Sequence, residues 1–501
     1  MTFPAVNIVV ADNAANAPIT LPQSNVQAVI GCAVSTATVS NNVPLATTNP
    51  NTIQTSFAGG PLVEAAGLVC AAGGTVIAVS CPIVTPGTAT AVTATVTTST
   101  STITVTLDGT NGAWDTYYVM MKCIASGTVG AAGMSVQISL DAGRTFGGTL
   151  FLGTANTLAI PNTGITLNFG AGRLTAGDYW RFSTTAPAPN DAGISAAITA
   201  LANSAYGVAG WGSMHIVGTL SAATVTNIQA YLTTLTTTNF IFTRALTEAR
   251  DAIAPVAWGG TGETESAWGT SLTTAFGSTS AKRVSVGAGY YNMPSTYPNS
   301  YAGTPSYRRP LTWADAVRRV LVQPQRRGGR VKDGSLSNIV VNPASDPGDG
   351  FIYHDETNNP VFDAARFMSA KTWPKKTGFF IVHENLMAPN GSQFTDLVLG
   401  NVIDVASDIA YVEGVNEISD DLTLTDTGTL APTDALGLQN TIAGAIKTNM
   451  TDVAMISGAT VAVSQTQNVL ATSTIPITIS ILPRGYVDVI TETINLGVPS
   501  A

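Results

Sequence analysis

The chain has 501 residues, only 11% of them charged, and a formal net charge of -9. That length allows roughly two to four domains, each with its own core. Globular chains average about 25% charged residues, so this one is expected to bury much of its surface against partners, and its thin acidic excess offers no basic field for nucleic-acid phosphates.

Residues 1–26 read as an extended arm. Val6, Ile8 and Val10 lie in a strand-like run, and residues 13–22 are uncharged and rich in Asn, Ala and Pro. The basic and apolar regions of a secretory signal are missing from this stretch, which fits synthesis in a reducing cytoplasm. Residues 27–81 open an α/β unit. The apolar run 28–34 predicts a buried strand, and Pro61 opens a helix with Leu62, Ala65, Ala66 and Val69 on one face. Gly73-Gly74 stops that helix before a second buried strand at 75–80. Glycine, serine and proline interrupt the uncharged stretch 65–84, so it reads as helix plus strand and not as a membrane span.

Residues 82–189 are of another character. Positions 88–107 are almost entirely Thr, Ala, Val and Ser, and strand patterns recur at 103–107, 136–140, 164–169 and 179–182. Strands at that spacing with no helix between them predict an inserted β-sandwich or barrel. From residue 190 the α/β pattern returns. It gives a helix capped by Asp191, a strand at 214–217, a helix capped by Ser221, a strand at 240–243, a helix near 264–276 and a strand at 284–286. Residues 27–81 plus 190–390 are thus expected to form a Rossmann-like α/β core with helices on its sheet faces.

Thr312-Trp313-Ala314-Asp315 reads as a capping box for a helix carrying Trp313, Val317, Val320 and Leu321. A basic loop with Arg326, Arg327 and Arg330 follows, a candidate salt-bridge donor to a neighbouring subunit. Residues 391–482 predict an α+β assembly domain: amphipathic helices at 394–410 and 433–453, then strands at 459–463 and 475–482. Beyond the turn Pro483-Arg484-Gly485, residues 483–501 form a second arm with Tyr486, Val487, Val489, Ile490 and Ile494 in a strand-like run. Apolar strands near chain ends leave backbone groups unpaired and invite pairing with another copy of the chain.

Signals for chemistry are weak. His215, His354 and His383 stand far apart, and His383-Glu384 lacks the second histidine of a zinc-protease helix. No nucleophile elbow or phosphate loop is present. Ala58-Gly59-Gly60-Pro61 reads as a tight turn into a helix, with anion binding as the alternative. Asp346, Asp349, Asp355 and Glu356 lack the spacing of a calcium loop. Cys32, Cys70, Cys81 and Cys123 read as small buried residues. No catalytic, cofactor or metal site is therefore expected. Ser139-Leu140-Asp141-Ala142-Gly143-Arg144-Thr145-Phe146 resembles the Asp-box of sialidases and other β-propellers, with Phe in place of Trp. In that family the box folds a hairpin and is not catalytic.

One resemblance covers residues 27–81 and 191–501. Ala28-Val29-Ile30-Gly31, Ser56-Phe57, a helix ending at Gly73-Gly74 and Val76–Val79 form its first part. Phe351-Ile352-Tyr353, Asp355-Glu356, Asn359-Pro360 and Asp363–Phe367 form the second, and Pro483-Arg484-Gly485-Tyr486 the third. In this order they resemble contractile-tail sheath proteins of myophages, R-type pyocins and type VI secretion systems. The resemblance implies stacked six-fold rings of one subunit around a tail tube, joined by exchanged strand arms and contracting to drive the tube through the host envelope. It also implies tube, baseplate and tail-terminator partners, a place in the virion tail, no membrane insertion, and a tube-facing helix at 433–453 bearing Asp434, Lys447 and Asp452. A phage adhesin or glycan-binding tail spike is the alternative; it would explain the insert but not the α/β core.

Overall fold

The computed structural model describes residues 25–34, 37–340 and 350–491. Val6, Ile8, Val10, Ile494, Asp346 and Asp349 lie outside them. The centre of the molecule is a six-stranded sheet in the order Val284–Gly287, Ala245–Glu248, Ser213–Thr219, Val26–Cys32, Thr75–Cys81, Leu45–Thr47. Its first five strands run parallel and the short edge strand Leu45–Thr47 antiparallel. Parallel strands buried on both faces need apolar residues at nearly every position, which is why their sequences run without alternation. Helices Pro61–Ala71 and Leu311–Leu321 cover one face, over Val29, Val76, Ala78 and Val217. Helices Asp191–Ala202, Ala222–Thr234 and Glu265–Phe276 cover the other, over Ala28, Ile30, Ile77 and Ile216.

Four local expectations need correction. Asn190, not Asp191, caps its helix, its Oδ1 accepting from the Gly193 N–H at 2.9 Å. Residues 240–243 form no strand. The preceding helix runs on through a π turn, Leu235–Asn239, and ends on Phe240 at φ 54°, so the strand starts only at Ala245. Phe240 then stacks on Tyr411 with ring centroids 4.3 Å apart. Thr312 caps nothing, because its helix starts after Pro310; its hydroxyl donates to the Thr247 carbonyl at 3.0 Å. Leu321, at the end of that helix, is exposed. Gly60 bears out the turn reading: at φ 109° it lies where a Cβ would come 2.9 Å from the Cys32 carbonyl oxygen. The four thiols are free and buried.

The stretch from 93 to 183 folds as antiparallel sheets of five and three strands plus one two-stranded pair. Val119, Met121, Ile138, Trp180 and Phe182 from the larger sheet share one core with Ile165, Leu167 and Phe169 from the smaller. That core also takes in Ala302 and Tyr307. The Asp-box folds its loop: Asp141 Oδ1 accepts from the Ser139 hydroxyl and the Thr145 N–H, both at 2.8 Å. Its Oδ2 accepts from the Ser306 N–H at 3.0 Å, so the box also docks the insert onto the rest of the chain.

A further contact fixes this junction. Buried Arg309 donates to Asp115 at 2.6 Å. Glu64, opposite them, accepts from Ser295 at 3.0 Å, and burial pushes its carboxyl up to about 7 although Arg309 draws it back. A raised acid binds its proton more tightly in the folded chain, so its ionisation opposes folding. Stability is expected to fall as pH rises from about 4.5 to about 7, and Glu64→Gln should flatten that slope. Urea midpoints measured across the range test this; an equal slope in both proteins would refute it.

Candidate assembly interface

Helix Leu397–Asn416 is capped by Asp396, whose Oδ1 accepts from the Val398 N–H at 3.0 Å. Helix Pro432–Ile446 follows and runs into a π turn, Lys447–Thr451. With the two strands Gly458–Val463 and Ile477–Leu482 they enclose a separate core of Val402, Ile409, Leu438, Ile442, Ile446 and Met450. One stripe per helix faces this core, as the apolar spacing predicts.

The two strands pair antiparallel from Gly458↔Leu482 to Val463↔Ile477, and among the described residues no third strand joins them. Each strand therefore has one edge whose N–H and C=O groups point outward without ladder partners. Val461 and Val463 are buried, whereas Ile477, Ile479 and Ile481 on the other strand are only half-buried. A two-stranded sheet with a partly covered apolar row is marginal alone.

The chain then leaves this sheet along an anchored path. The Ser457 hydroxyl donates to the Pro483 carbonyl at 3.1 Å, and Arg484 to the Ala454 carbonyl at 2.8 Å. Tyr486 donates to the Gln325 carbonyl at 2.7 Å and lies 4.6 Å from the Arg327 guanidinium carbon, ring centroid to Cζ. Arg327 also binds Asp488 at 2.5 Å and Asp396 at 2.8 Å. Burial works against its charge, but the Asp396 and Asp488 carboxylates prevail and raise its pKa. Beneath it Arg319 pairs with Glu384 and lies 3.5 Å from Asp315. Beside this anchor Val487, Val489 and Ile490 are 75%, 81% and 75% exposed, and residues 487–491 have no strand partner among the described residues.

The structure thus places Tyr486 and Arg327 together. Arg326 and Arg330 lie apart from them and pair with Asp333 at 3.8 and 3.0 Å. Lys447 binds Asp452 at 2.9 Å on the surface, while Asp434 accepts from the Thr423 N–H at 2.6 Å. The histidines have local partners: His215 with Glu248, His354 with Glu265 and Glu356, His383 with Asp363. Asp355 accepts from Thr357 and Thr372. Among the described residues no group of three His, Cys, Asp or Glu side chains could hold a metal ion, and no helix is long and apolar enough to cross a membrane. The sequence reading missed Asp396, Gln325 and Asp488 as holders of the second arm, because their pairing joins segments far apart in the chain.

No protein-family profile matches the chain, and no curated protein does. Solved structures match the chain at low identity. A sheath tail protein from Desulfitobacterium hafniense is 10% identical, with 95% of this chain and 100% of that one covered, at a TM-score of 0.44. The contracted sheath of the PVC extracellular contractile injection system is 8% identical over 99% of this chain and 98% of that one, at 0.49. The contracted helical sheath of the anti-feeding prophage is 9% identical over 99% of both, at 0.48.

Proposed function

We propose that this chain is the structural, non-catalytic subunit of a contractile tail sheath in a virion or virion-like tail. Copies stack as six-fold rings around a tail tube between a baseplate and a terminator, and contraction drives the tube through a host envelope. The observation that carries the reading is the two-stranded sheet with open edges and a half-covered isoleucine row, from which an apolar arm departs. Arms from neighbouring copies would complete that sheet by adding strands. The ordered motifs from Ala28 to Tyr486 and the low charge support the same conclusion. Electron microscopy of the purified chain tests it: helical tubes or stacked rings are expected, and discrete trimers would overturn it.

The helix Pro432–Ile446 and its π turn are assigned to the tube. The outward face carries Leu436, Asn440, Thr441 and Lys447, so its docking is sparse in charge and readily released. Lys447→Glu should impair assembly on tubes. The subunit's stability should change by less than about 1 kcal/mol, since an exposed pair contributes little. Unchanged co-sedimentation with tubes would refute the assignment.

A further inference from the structure

Six of the seven tryptophans are buried or half-buried; Trp373 alone is exposed, at 38%. It stands at the tip of a hairpin between Ala370–Lys371 and Phe380–Ile381, beside Lys371, Lys375 and Lys376. Among the described residues none of these lysines forms an ion pair. The tip is rigidly mounted. Thr372 donates its N–H and hydroxyl to Asp355 at 2.9 and 2.6 Å, and its carbonyl accepts from Thr357 at 2.7 Å. The Lys376 N–H closes the turn on the Trp373 carbonyl at 3.1 Å. Lys375 is held at φ 65°, a conformation that costs a side-chain-bearing residue energy. Lys371 Nζ lies 3.8 Å from the Trp373 ring centroid, keeping ring and charge together. A preorganised aromatic flanked by unpaired cations loses little entropy on docking.

The complementary surface lies on the same chain. Between Lys376 and Lys447 there is no lysine or arginine. Helix Leu397–Asn416 ends with Glu413 and Glu417 at i,i+4, no base in its last turn, and Asp420 and Asp421 just beyond. Like charges at that spacing repel, and acids at a helix's carboxyl end face the negative pole of its dipole. Both effects disfavour this helix end, and no described cation of the chain relieves them. Ile418, among these acids, is 71% exposed and gives the aromatic ring an apolar neighbour.

We infer that the Trp373–lysine tip of one copy docks on the Glu413–Asp421 helix end of a second copy. The contact joins two different patches and, made once between each pair of copies, is head-to-tail and propagates as a ring or a helix. It rests on the sheath reading only in requiring self-association, and it is distinct from the strand arms.

The test is a charge swap in the full chain. One variant carries Lys371→Glu, Lys375→Glu and Lys376→Glu; the other carries Glu413→Lys, Glu417→Lys and Asp420→Lys. Circular dichroism confirms that each is folded, and sedimentation velocity reads association. Each variant alone is expected to associate roughly tenfold or more weakly than the wild type, through juxtaposed like charges. An equimolar mixture should recover, because each tip then meets an oppositely charged helix end. Wild-type association should weaken as salt shortens the screening length from about 10 Å to about 3 Å. Either variant associating like the wild type, a mixture that stays apart, or a wild-type chain that remains monomeric overturns the inference. Tubes that form from the lysine variant would sink this contact and leave the sheath reading standing. Swap-sensitive association without tubes or rings would do the reverse.

Discussion

Deletion of residues 484–501 yields, as the expected result, a folded subunit that no longer polymerises. Of the removed segment, the described residues 484–491 contribute to none of the hydrophobic cores. The contacts these described residues lose within the subunit are local: the Arg484 and Tyr486 hydrogen bonds and the pairing of Asp488 with Arg327 and His383. Between subunits the proposed strand donation makes the expected loss larger. A donated strand makes several backbone hydrogen bonds, each worth about 0.5–1.5 kcal/mol net, and covers Ile477, Ile479 and Ile481. Multiplied over every copy in the proposed ring, that loss is expected to abolish assembly. The measurement is electron microscopy beside circular dichroism; tubes of normal appearance from the truncated chain would refute strand donation.

The second large effect is expected at Asp404. Helix Leu397–Asn416 belongs to two cores, with Leu397 in that of the central sheet and Val402 to Ile409 in that of the C-terminal region. Where it crosses between them, Arg244 Nε and Arg283 each lie 2.9 Å from an Asp404 oxygen, and all three side chains are largely buried. Arg244 also donates to the Gly400 carbonyl at 3.1 Å. It passes so near that a Cβ on Gly400 would come 2.1 Å from its Nε. Asp404→Asn leaves two buried guanidiniums without a counter-charge, which costs about 3–5 kcal/mol. Gly400→Ala must displace Arg244 and is expected to destabilise as well. Urea unfolding followed by tryptophan fluorescence reads both. A loss under about 1 kcal/mol for Asp404→Asn would show that the pair is not what joins the two parts.

The comparison of sequence with structure divides along a physical line. Runs such as Val26–Cys32 and Thr75–Cys81 declare themselves, because burial on both faces demands apolar residues at most positions. The two C-terminal helices are legible for a related reason, since one stripe of each meets a core. Residues 240–243 misled because an aromatic and β-branched run satisfies strand patterns, while the π turn before it ends on Phe240, whose stacking partner Tyr411 lies far along the chain. The ionic contacts were not legible at all. Asp404 finds Arg244 only when segments 160 residues apart come together, and no local spacing encodes that meeting. The arm was readable as apolar and β-branched, but its anchorage on Arg327 was not.

That anchorage has a mechanical meaning. Only three residues separate Leu482, the last ladder residue, from Tyr486, which is tied to Gln325 and Arg327. A pull on the arm therefore meets the Arg327–Asp488 pair and the held Tyr486 ring before it reaches the ladder. Tension enters the body of the subunit, and the strand pair is spared from being peeled open residue by residue. The fragile sheet can thus serve as a coupling without being the element that carries the load.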